Sequence, residues 1–229
     1  MIVYGRNAVR ELLGARRRPV RRLWATRGAE REPWLRGVAV QAASPGELER
    51  LCGSGAHQGV CAETTAYPYV GGDELLAAPD PLIVALDEIQ DPQNVGAVCR
   101  TAECVGATGV VVPERRSAEV TPAVCKASAG AVEHLRVARV RNLADFIIEA
   151  RDAGCWSYGA AADGAVPYDQ PDYRGGVVLV LGAEGRGLRP RVAASCDALV
   201  ALPLRGRIAS LNVSAAAAAL LYEILQRRT

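Results

Sequence analysis

From Pro81 onward the chain alternates short apolar segments with helical stretches, and this pattern constrains the fold more than any other feature. Runs rich in Val, Leu and Ala occur at residues 82–86, 109–112, 136–140, 156–160, 177–181 and 199–204. Strands that are apolar at nearly every position have both faces covered, as in a mainly parallel sheet with helices on each side. The sequence therefore predicts an α/β domain that ends in a helix over residues 212–228.

The first 66 residues follow a shorter pattern. Helical patterns at residues 6–13 and 45–52 are interspersed with extended runs at 22–26, 38–42 and 59–64, which is typical of a small α/β unit. The following YPYVGG, with one Pro and two Gly, has the composition of a linker and precedes a short helical pattern at 73–77. We therefore expect one domain over residues 1–66, a linker over 67–80 and a second domain over 81–229.

Unusual polar residues are concentrated at three junctions between an apolar run and a loop or helix start. The junctions read NVGAVCR at residues 94–100, LGAEGRGL at 181–188 and LPLRGRIASLNVS at 202–214. Open α/β folds bind ligands at such junctions, because polar groups converge at the carboxyl ends of the strands. The candidate site residues are Asn94, Arg100, Glu184, Ser210 and Asn212. Local explanations also exist, since Asn and Ser cap helices and Glu184 could be an ordinary turn acid.

A Rossmann-type nucleotide site would require a GxGxxG turn after the first strand and an acidic residue at the end of the second. No such turn follows residues 82–86. The glycine-rich turn comes late in the chain, at residues 182–187, and its acidic residue lies inside the turn. A dehydrogenase or a methyltransferase of the conventional Rossmann type is therefore disfavoured.

The three junctions, in this order, resemble the SpoU (TrmH-like) 2′-O-ribose RNA methyltransferases of the SPOUT superfamily. DPQNVGAVCRTAECVGATGVVVP at residues 91–113 resembles the first family motif, and SLNVSAAAA at 210–218 resembles the end of the third. VYGRNAVRELL at residues 3–13 resembles the start of the small substrate-binding domain of larger members. The resemblance covers essentially the whole chain and shows no departure at the key positions.

This resemblance implies an L30e-like N-terminal RNA-binding domain, a C-terminal domain with a deep trefoil knot, and a homodimer. It also implies S-adenosylmethionine as cofactor, held by the backbone around Gly182, Leu202 and Leu211. The resemblance further implies a catalytic set that consists of Arg100, Asn94, Glu184, Ser210 and Asn212. The guanidinium of Arg100 is expected to bind the phosphate beside the target ribose. There it would stabilise developing oxyanion charge.

The resemblance is closest to two-domain members that methylate a guanosine in 23S ribosomal RNA. Transfer RNA and antibiotic-resistance methylation of the same ribosomal RNA are the neighbouring alternatives. A catalytically silent RNA-binding protein of the same fold is a further alternative, against which the complete catalytic set argues.

Positive charge is concentrated in the N-terminal part of the chain. The formal net charge is +2, but residues 1–66 carry +5 and the remainder −3. Much of the excess lies in one cluster, which we expect to bind RNA phosphates together with His57. The cluster consists of Arg16, Arg17, Arg18, Arg21 and Arg22. A solvated loop is the alternative, because Arg outnumbers Lys 26 to 1 throughout the chain.

Cysteine and histidine usage argues against a metal site or a disulfide framework. The seven cysteines occur singly, and only two histidines are present. We expect no acid–base role for His57 or His134, the latter being assigned to the end of a surface helix. The chain has no apolar run of membrane-spanning length and no apolar core of a signal peptide near its start, so we expect a soluble, cytoplasmic protein without a membrane partner.

Overall fold

The computed structural model describes residues 1–164 and 166–228 and contains two sheets. The first sheet has four strands in the order β1-β4-β2-β3, with β4 antiparallel to both β1 and β2. Its elements are β1 (Ile2–Tyr4), α1 (Arg6–Ala15), β2 (Val20–Ala25), β3 (Gln41–Ala42), α2 (Pro45–Cys52) and β4 (Val60–Thr64). The small α/β unit expected from the sequence is present, although the extended run predicted at 38–42 contributes only two residues to a strand.

The second sheet has seven strands in the order β7-β6-β5-β10-β8-β11-β9, and all recorded pairings are parallel. Its strands are β5 (Leu82–Asp87), β6 (Gly109–Pro113), β7 (Val137–Val140), β8 (Trp156–Ala160), β9 (Val166–Pro167), β10 (Val177–Gly182) and β11 (Ala198–Ala201). The helices are α3 (Gly72–Leu76), α4 (Pro92–Cys104), α5 (Pro122–Ala127), α6 (Leu143–Asp152), α7 (Pro190–Ser195) and α8 (Val213–Arg228).

Both faces of this sheet are covered, as the continuous apolar runs predict. In β5, Leu82, Val84 and Leu86 pack into one core with residues of α4, α5 and α8, whereas Ile83 and Ala85 pack into a second core with residues of α3, α6 and α7. The chain runs outward from β5 through β6 and β7 and later places β10 on the other side of β5. Reversal points of this kind form ligand crevices at the carboxyl ends of the strands.

The structure of the second domain also differs from the sequence prediction. The run predicted as a strand over 199–204 leaves the sheet after Ala201, and the two-residue strand β9 was too short to be predicted. His134, expected at the end of a surface helix, follows a 3₁₀ turn at Ala131–Glu133 instead, because α5 ends at Ala127 and Gly130 has a φ of 90°. A positive φ does not fit a right-handed helix, so Gly130 separates α5 from this turn.

Among the described residues, no helix is long and apolar enough to cross a membrane. The same residues contain no group of three or more His, Cys, Asp or Glu side chains that could hold a metal ion. The trefoil knot implied by the resemblance stays a prediction.

Candidate active site

Side chains from all three sequence junctions meet at the carboxyl ends of the central strands. The Nδ2 of Asn94 donates to Oε1 of Glu184 at 3.0 Å. The Nδ2 of Asn212 donates to the same Oε1 at 2.6 Å and to Oδ1 of Asn94 at 3.0 Å. We call Asn94, Glu184 and Asn212 the polar triangle. Its members lie up to 118 residues apart in the chain, so only the fold brings them together.

Asn94 is not the cap of its helix. The cap of α4 is Asp91, whose side chain accepts from the backbone N–H of Gln93 at 3.0 Å, and Pro92 occupies the first helical position. Asn94 lies in the first turn and is buried, with 7 % exposure. Its amide is therefore available to the polar triangle, and the local capping explanation for Asn94 is wrong.

Glu184 is positioned by a turn that requires glycine. Gly185 and Gly187 have positive φ values of 77° and 65°, and a Cβ on Gly182 would overlap the backbone of Gly187. The N–H of Gly187 donates to the carbonyl of Ala183 at 2.9 Å, which closes the turn. Only residues without a Cβ allow this close approach of the two arms.

The exit of this turn is attached to the end of β5. Asp87 is fully buried at the last position of that strand. Its Oδ2 accepts from the backbone N–H of Arg189 at 2.8 Å, and its Oδ1 accepts from Nε of the same residue at 2.7 Å. Because Gly182 pairs with Asp87 in the sheet, one residue holds both ends of the turn that carries Glu184: its backbone lies beside the entry and its carboxylate binds the exit.

Asn212 both caps a helix and belongs to the polar triangle. Its Oδ1 accepts from the backbone N–H groups of Ser214 at 2.9 Å and Ala215 at 3.4 Å, at the start of α8. The Oγ of Ser214 donates to the same oxygen at 2.6 Å. Ser210 is exposed and its side chain makes no hydrogen bond within the described residues, so it is not part of the triangle.

A cavity of about 940 Å³ opens beside the polar triangle. Its wall includes the three residues that the resemblance assigns to the cofactor, Gly182, Leu202 and Leu211, together with Ser210, Glu184 and Asn212. Most of the remaining wall is small or apolar, contributed by the end of β8, the glycine turn and the start of α8. This size and lining are typical of a small-molecule or cofactor site.

Two charged residues of this wall were missed in the sequence, Asp163 and Arg186. Asp163 follows the carboxyl end of β8. The expectation that polar residues at the carboxyl ends of parallel strands form a ligand site could therefore have identified it. Arg186 lies inside the glycine-rich turn, two residues after Glu184, and its side chain makes no hydrogen bond or ion pair within residues 1–164 and 166–228.

Arg100 lies apart from the polar triangle. It is exposed on α4, six residues after Asn94, which corresponds to about 120° of net rotation and about 9 Å along the helix. It forms no hydrogen bond or ion pair with another described residue. Glu184 has no contact with Arg100, and its Oε1 accepts instead from the two asparagine amides.

The thiol next to Arg100 in sequence is excluded as a nucleophile. Burial raises the pKa of Cys99 to about 12, so this thiol remains protonated and unreactive near neutral pH. Burial likewise raises the pKa of Cys196, the residue after α7, to about 12. The chemistry of the site depends on oxygen and nitrogen groups.

The basic cluster is divided between surface and interior. Arg18 is buried and forms an ion pair with Glu133, while Arg17 donates to the backbone carbonyls of Glu133 and Leu135. The prediction of RNA contact is corrected for Arg18, whose guanidinium is buried against the second domain. Arg17 is exposed, and its RNA contact stays a prediction.

The other residues predicted to bind RNA differ in their exposure and in their bonding partners. Arg22 is exposed and paired with Glu63 at 2.6 Å. Arg16 and Arg21 are exposed and make no ion pair or hydrogen bond with any described residue. His57 is buried, and its Nδ1 accepts from the N–H of Gly59 at 3.0 Å, so its assignment to RNA is also corrected.

Sequence profiles of known families match both parts of the chain. The SpoU rRNA Methylase family matches residues 81–222. The chain belongs to the SpoU family. A second profile, described as RNA 2′-O ribose methyltransferase substrate binding, matches residues 2–70. These matches agree with the junctions that formed the polar triangle and with the separate N-terminal sheet.

Relatives similar over nearly the full length support this membership. The 23S rRNA (guanosine-2′-O-)-methyltransferase RlmB of Pseudomonas putida is 38% identical over 239 residues, which are 99% of this chain and 96% of that protein. The Bacillus subtilis protein YacO, named for the TrmH family, is also 38% identical, over 99% of this chain and 95% of its own length. The SpoU methyltransferase AviRb from Streptomyces viridochromogenes, solved with AdoMet, has a TM-score of 0.84 at 28% identity and covers 99% of this chain and 90% of its own.

The SpoU protein described here is therefore an RNA 2′-O-ribose methyltransferase that depends on S-adenosylmethionine. The cavity fits this cofactor in size and in the small residues of its wall. The backbone around Gly182, Leu202 and Leu211 would hold the nucleoside. When bound, the cofactor supplies an electrophilic methyl group.

Proposed function

We propose that this enzyme methylates the 2′-hydroxyl of a guanosine in 23S ribosomal RNA and acts as a homodimer. The observation that carries the reaction is the polar triangle at the rim of the cofactor-sized cavity. The substrate proposal is supported by the match to the Pseudomonas putida enzyme, which extends over both domains and 96% of that protein.

Glu184 binds the target ribose in this proposal. Its Oε1 accepts from the amides of Asn94 and Asn212, whereas its Oε2 accepts no hydrogen bond within the described residues. An exposed carboxylate oxygen held in a fixed position can accept from a ribose hydroxyl. Ser210, on the same wall with an unengaged hydroxyl, would contact the cofactor or the ribose. Positioning of this kind contributes much of the rate of a transfer that requires in-line approach.

Arg100 binds the phosphate beside that ribose and stabilises the charge that develops on the attacking oxygen. Its guanidinium is exposed and unpaired among the described residues, so it can form a bidentate contact with phosphate. A guanidinium releases a proton very reluctantly. The hydroxyl proton therefore passes to the phosphate or to water.

An apolar groove supports the proposed dimer. It is lined by Tyr168, Leu202, Leu211, Tyr222 and Leu225 and has a volume of about 690 Å³. Exposure of large apolar groups in one patch favours a protein interface, and Leu211 and Tyr222 are 47% and 53% exposed. Because Leu202 and Leu211 also line the cavity, a second copy seated here would border the cofactor site.

Comparison of 2′-O-methylation in total RNA from cells with and without the protein tests the substrate. Loss of one methylated guanosine in 23S RNA, restored by the parent gene but not by Glu184→Ala, is the expected result. Glu103→Gln, on the exposed side of α4, is the matched control and should restore it. Loss of a transfer RNA methylation would refute the ribosomal substrate, and restoration by Glu184→Ala would refute the role of Glu184.

A further inference from the structure

The N-terminal domain is attached to the catalytic domain through a buried ion pair. Arg18 follows α1, and Glu133 lies in the 3₁₀ turn after Gly130. Both side chains are 1% exposed. The Nε of Arg18 donates to Oε2 of Glu133 at 3.1 Å, and a second guanidinium nitrogen contacts Oε1. Another nitrogen donates to the carbonyl of Thr65 at 3.1 Å, so one side chain connects three segments.

Polar contacts around this pair involve the same two surfaces. The hydroxyl of Tyr67 lies 2.9 Å from the carbonyl oxygen of Val132 and 2.7 Å from that of Leu135, to which it donates. The guanidinium of Arg18 lies 5.6 Å from the centroid of the Tyr67 ring, within the range of a cation–π contact. Nε2 of His134 lies 2.9 Å from a carboxylate oxygen of Glu11.

Close packing at Gly130 complements these polar contacts. A Cβ at Gly130 would lie 2.6 Å from the Cβ of Glu11 and 3.0 Å from the carbonyl oxygen of Asn7. Helix α1 therefore rests directly on the backbone of the 3₁₀ segment. The docking surface combines a dry ion pair, shared carbonyl acceptors and a glycine contact, and a rotated arrangement would lose all three.

We propose that Arg18, Glu133 and Tyr67 are positioning residues that fix the RNA-binding domain on its own catalytic domain and thereby help to select the nucleotide that reaches Glu184. This inference rests on the proposed reaction and on the substrate-binding match of residues 2–70. A buried ion pair is weak evidence for stability, but an arrangement that separated Arg18 from Glu133 would leave each charge buried without its partner. RNA held by a domain in one orientation presents one ribose to the site.

Three variants of the full chain test the proposal. Arg18→Met/Glu133→Leu replaces the pair with apolar side chains, so neither charge is left buried alone. Tyr67→Phe removes one hydroxyl and leaves the charges in place. Arg174→Met, the matched control, breaks an exposed ion pair with Asp172 in the catalytic domain and does not touch the docking surface.

Hydrogen exchange of residues 65–70, cofactor titration, RNA steady-state kinetics and mapping of methylated nucleotides are measured on each protein. In the double variant we expect faster exchange, unchanged cofactor affinity, a KM for RNA raised about tenfold or more, and methylation at additional nucleotides. Tyr67→Phe should show smaller changes in the same direction. The control should match the parent.

A double variant that binds cofactor normally but keeps the parental KM and methylation site would overturn the proposal, whether or not exchange increases. Unchanged exchange at residues 65–70 would also overturn it, because the pair would then not hold the domain. If the parent methylates an RNA other than 23S, the proposed substrate fails, and the same comparison is made with that RNA. If the parent methylates no RNA, the proposed function fails and the exchange comparison still decides the docking role.

Discussion

Replacement of Arg18 by Met should destabilise the protein strongly, although Arg18 forms no hydrogen bond or ion pair with the polar triangle. The substitution leaves the carboxylate of Glu133 at 1% exposure without its counter-charge and removes the donor to the carbonyl of Thr65. Breaking a buried ion pair by removing one partner lowers the free energy of unfolding by about 3–5 kcal/mol. For a chain of this size, that corresponds to a midpoint temperature lower by roughly 6–20 °C.

Urea and thermal unfolding of three variants provide the assay. Arg18→Met should unfold at a markedly lower urea concentration than the parent. Arg18→Met/Glu133→Leu should recover most of the loss, because apolar replacement of a whole buried pair is often neutral or stabilising. Arg22→Met should unfold at nearly the same urea concentration as the parent, because the Arg22–Glu63 ion pair is exposed and exposed ion pairs add little to the free energy of unfolding.

The relative stabilities of the single and double variants test whether the loss is electrostatic in origin. If Arg18→Met is no less stable than Arg22→Met, the Arg18–Glu133 pair is not dry in solution. If the double variant is less stable than Arg18→Met alone, the loss arises from packing around the side chains and not from the uncompensated carboxylate. Either result would contradict the electrostatic explanation.

Three further perturbations test the site and the RNA surface. Arg100→Ala should reduce single-turnover methylation by about 10²-fold or more with near-parental cofactor binding by calorimetry; near-normal turnover would contradict its assignment. Arg16→Gln/Arg21→Gln should lower the magnitude of the slope of log affinity against log salt by roughly 0.7–0.9 for each lost phosphate contact, and an unchanged slope would place RNA on another face. Gly182→Ala should abolish cofactor binding, because its Cβ would overlap the backbone across the turn, whereas Gly14→Ala, with no atom within 4 Å of the new Cβ, should retain it.

The parallel sheet and the convergence of the polar triangle could be predicted because they follow from local pattern. Continuous apolar runs identify strands covered on both faces, and parallel strands bring their carboxyl ends to one edge. Asn94 and Glu184 each follow such a strand, and Asn212 precedes the last helix. The assignment of Gly182, Leu202 and Leu211 to the cofactor rested on the family resemblance and stays a prediction, although all three residues line the cavity.

The role of Arg18 could not be predicted from the same kind of pattern. In sequence it is one of three consecutive arginines, and its partner Glu133 lies 115 residues away. Local charge density indicates that a segment is basic but does not distinguish a solvated guanidinium from a buried one. The interruption at Gly130, which places Glu133 in a separate turn, was concealed by the helix-like composition of its neighbours.

The polar triangle is preorganised because each amide in it can adopt only one useful orientation. The Oδ1 of Asn212 accepts from the start of α8, so its Nδ2 must point toward Asn94 and Glu184. The Oδ1 of Asn94 accepts from that nitrogen, and its own Nδ2 therefore faces Glu184. The chain of donors ends on one carboxylate oxygen, whose turn is fixed by Asp87. The other oxygen then has a fixed direction before any substrate arrives, and in the proposed reaction this preorganisation would accelerate a transfer that depends on positioning.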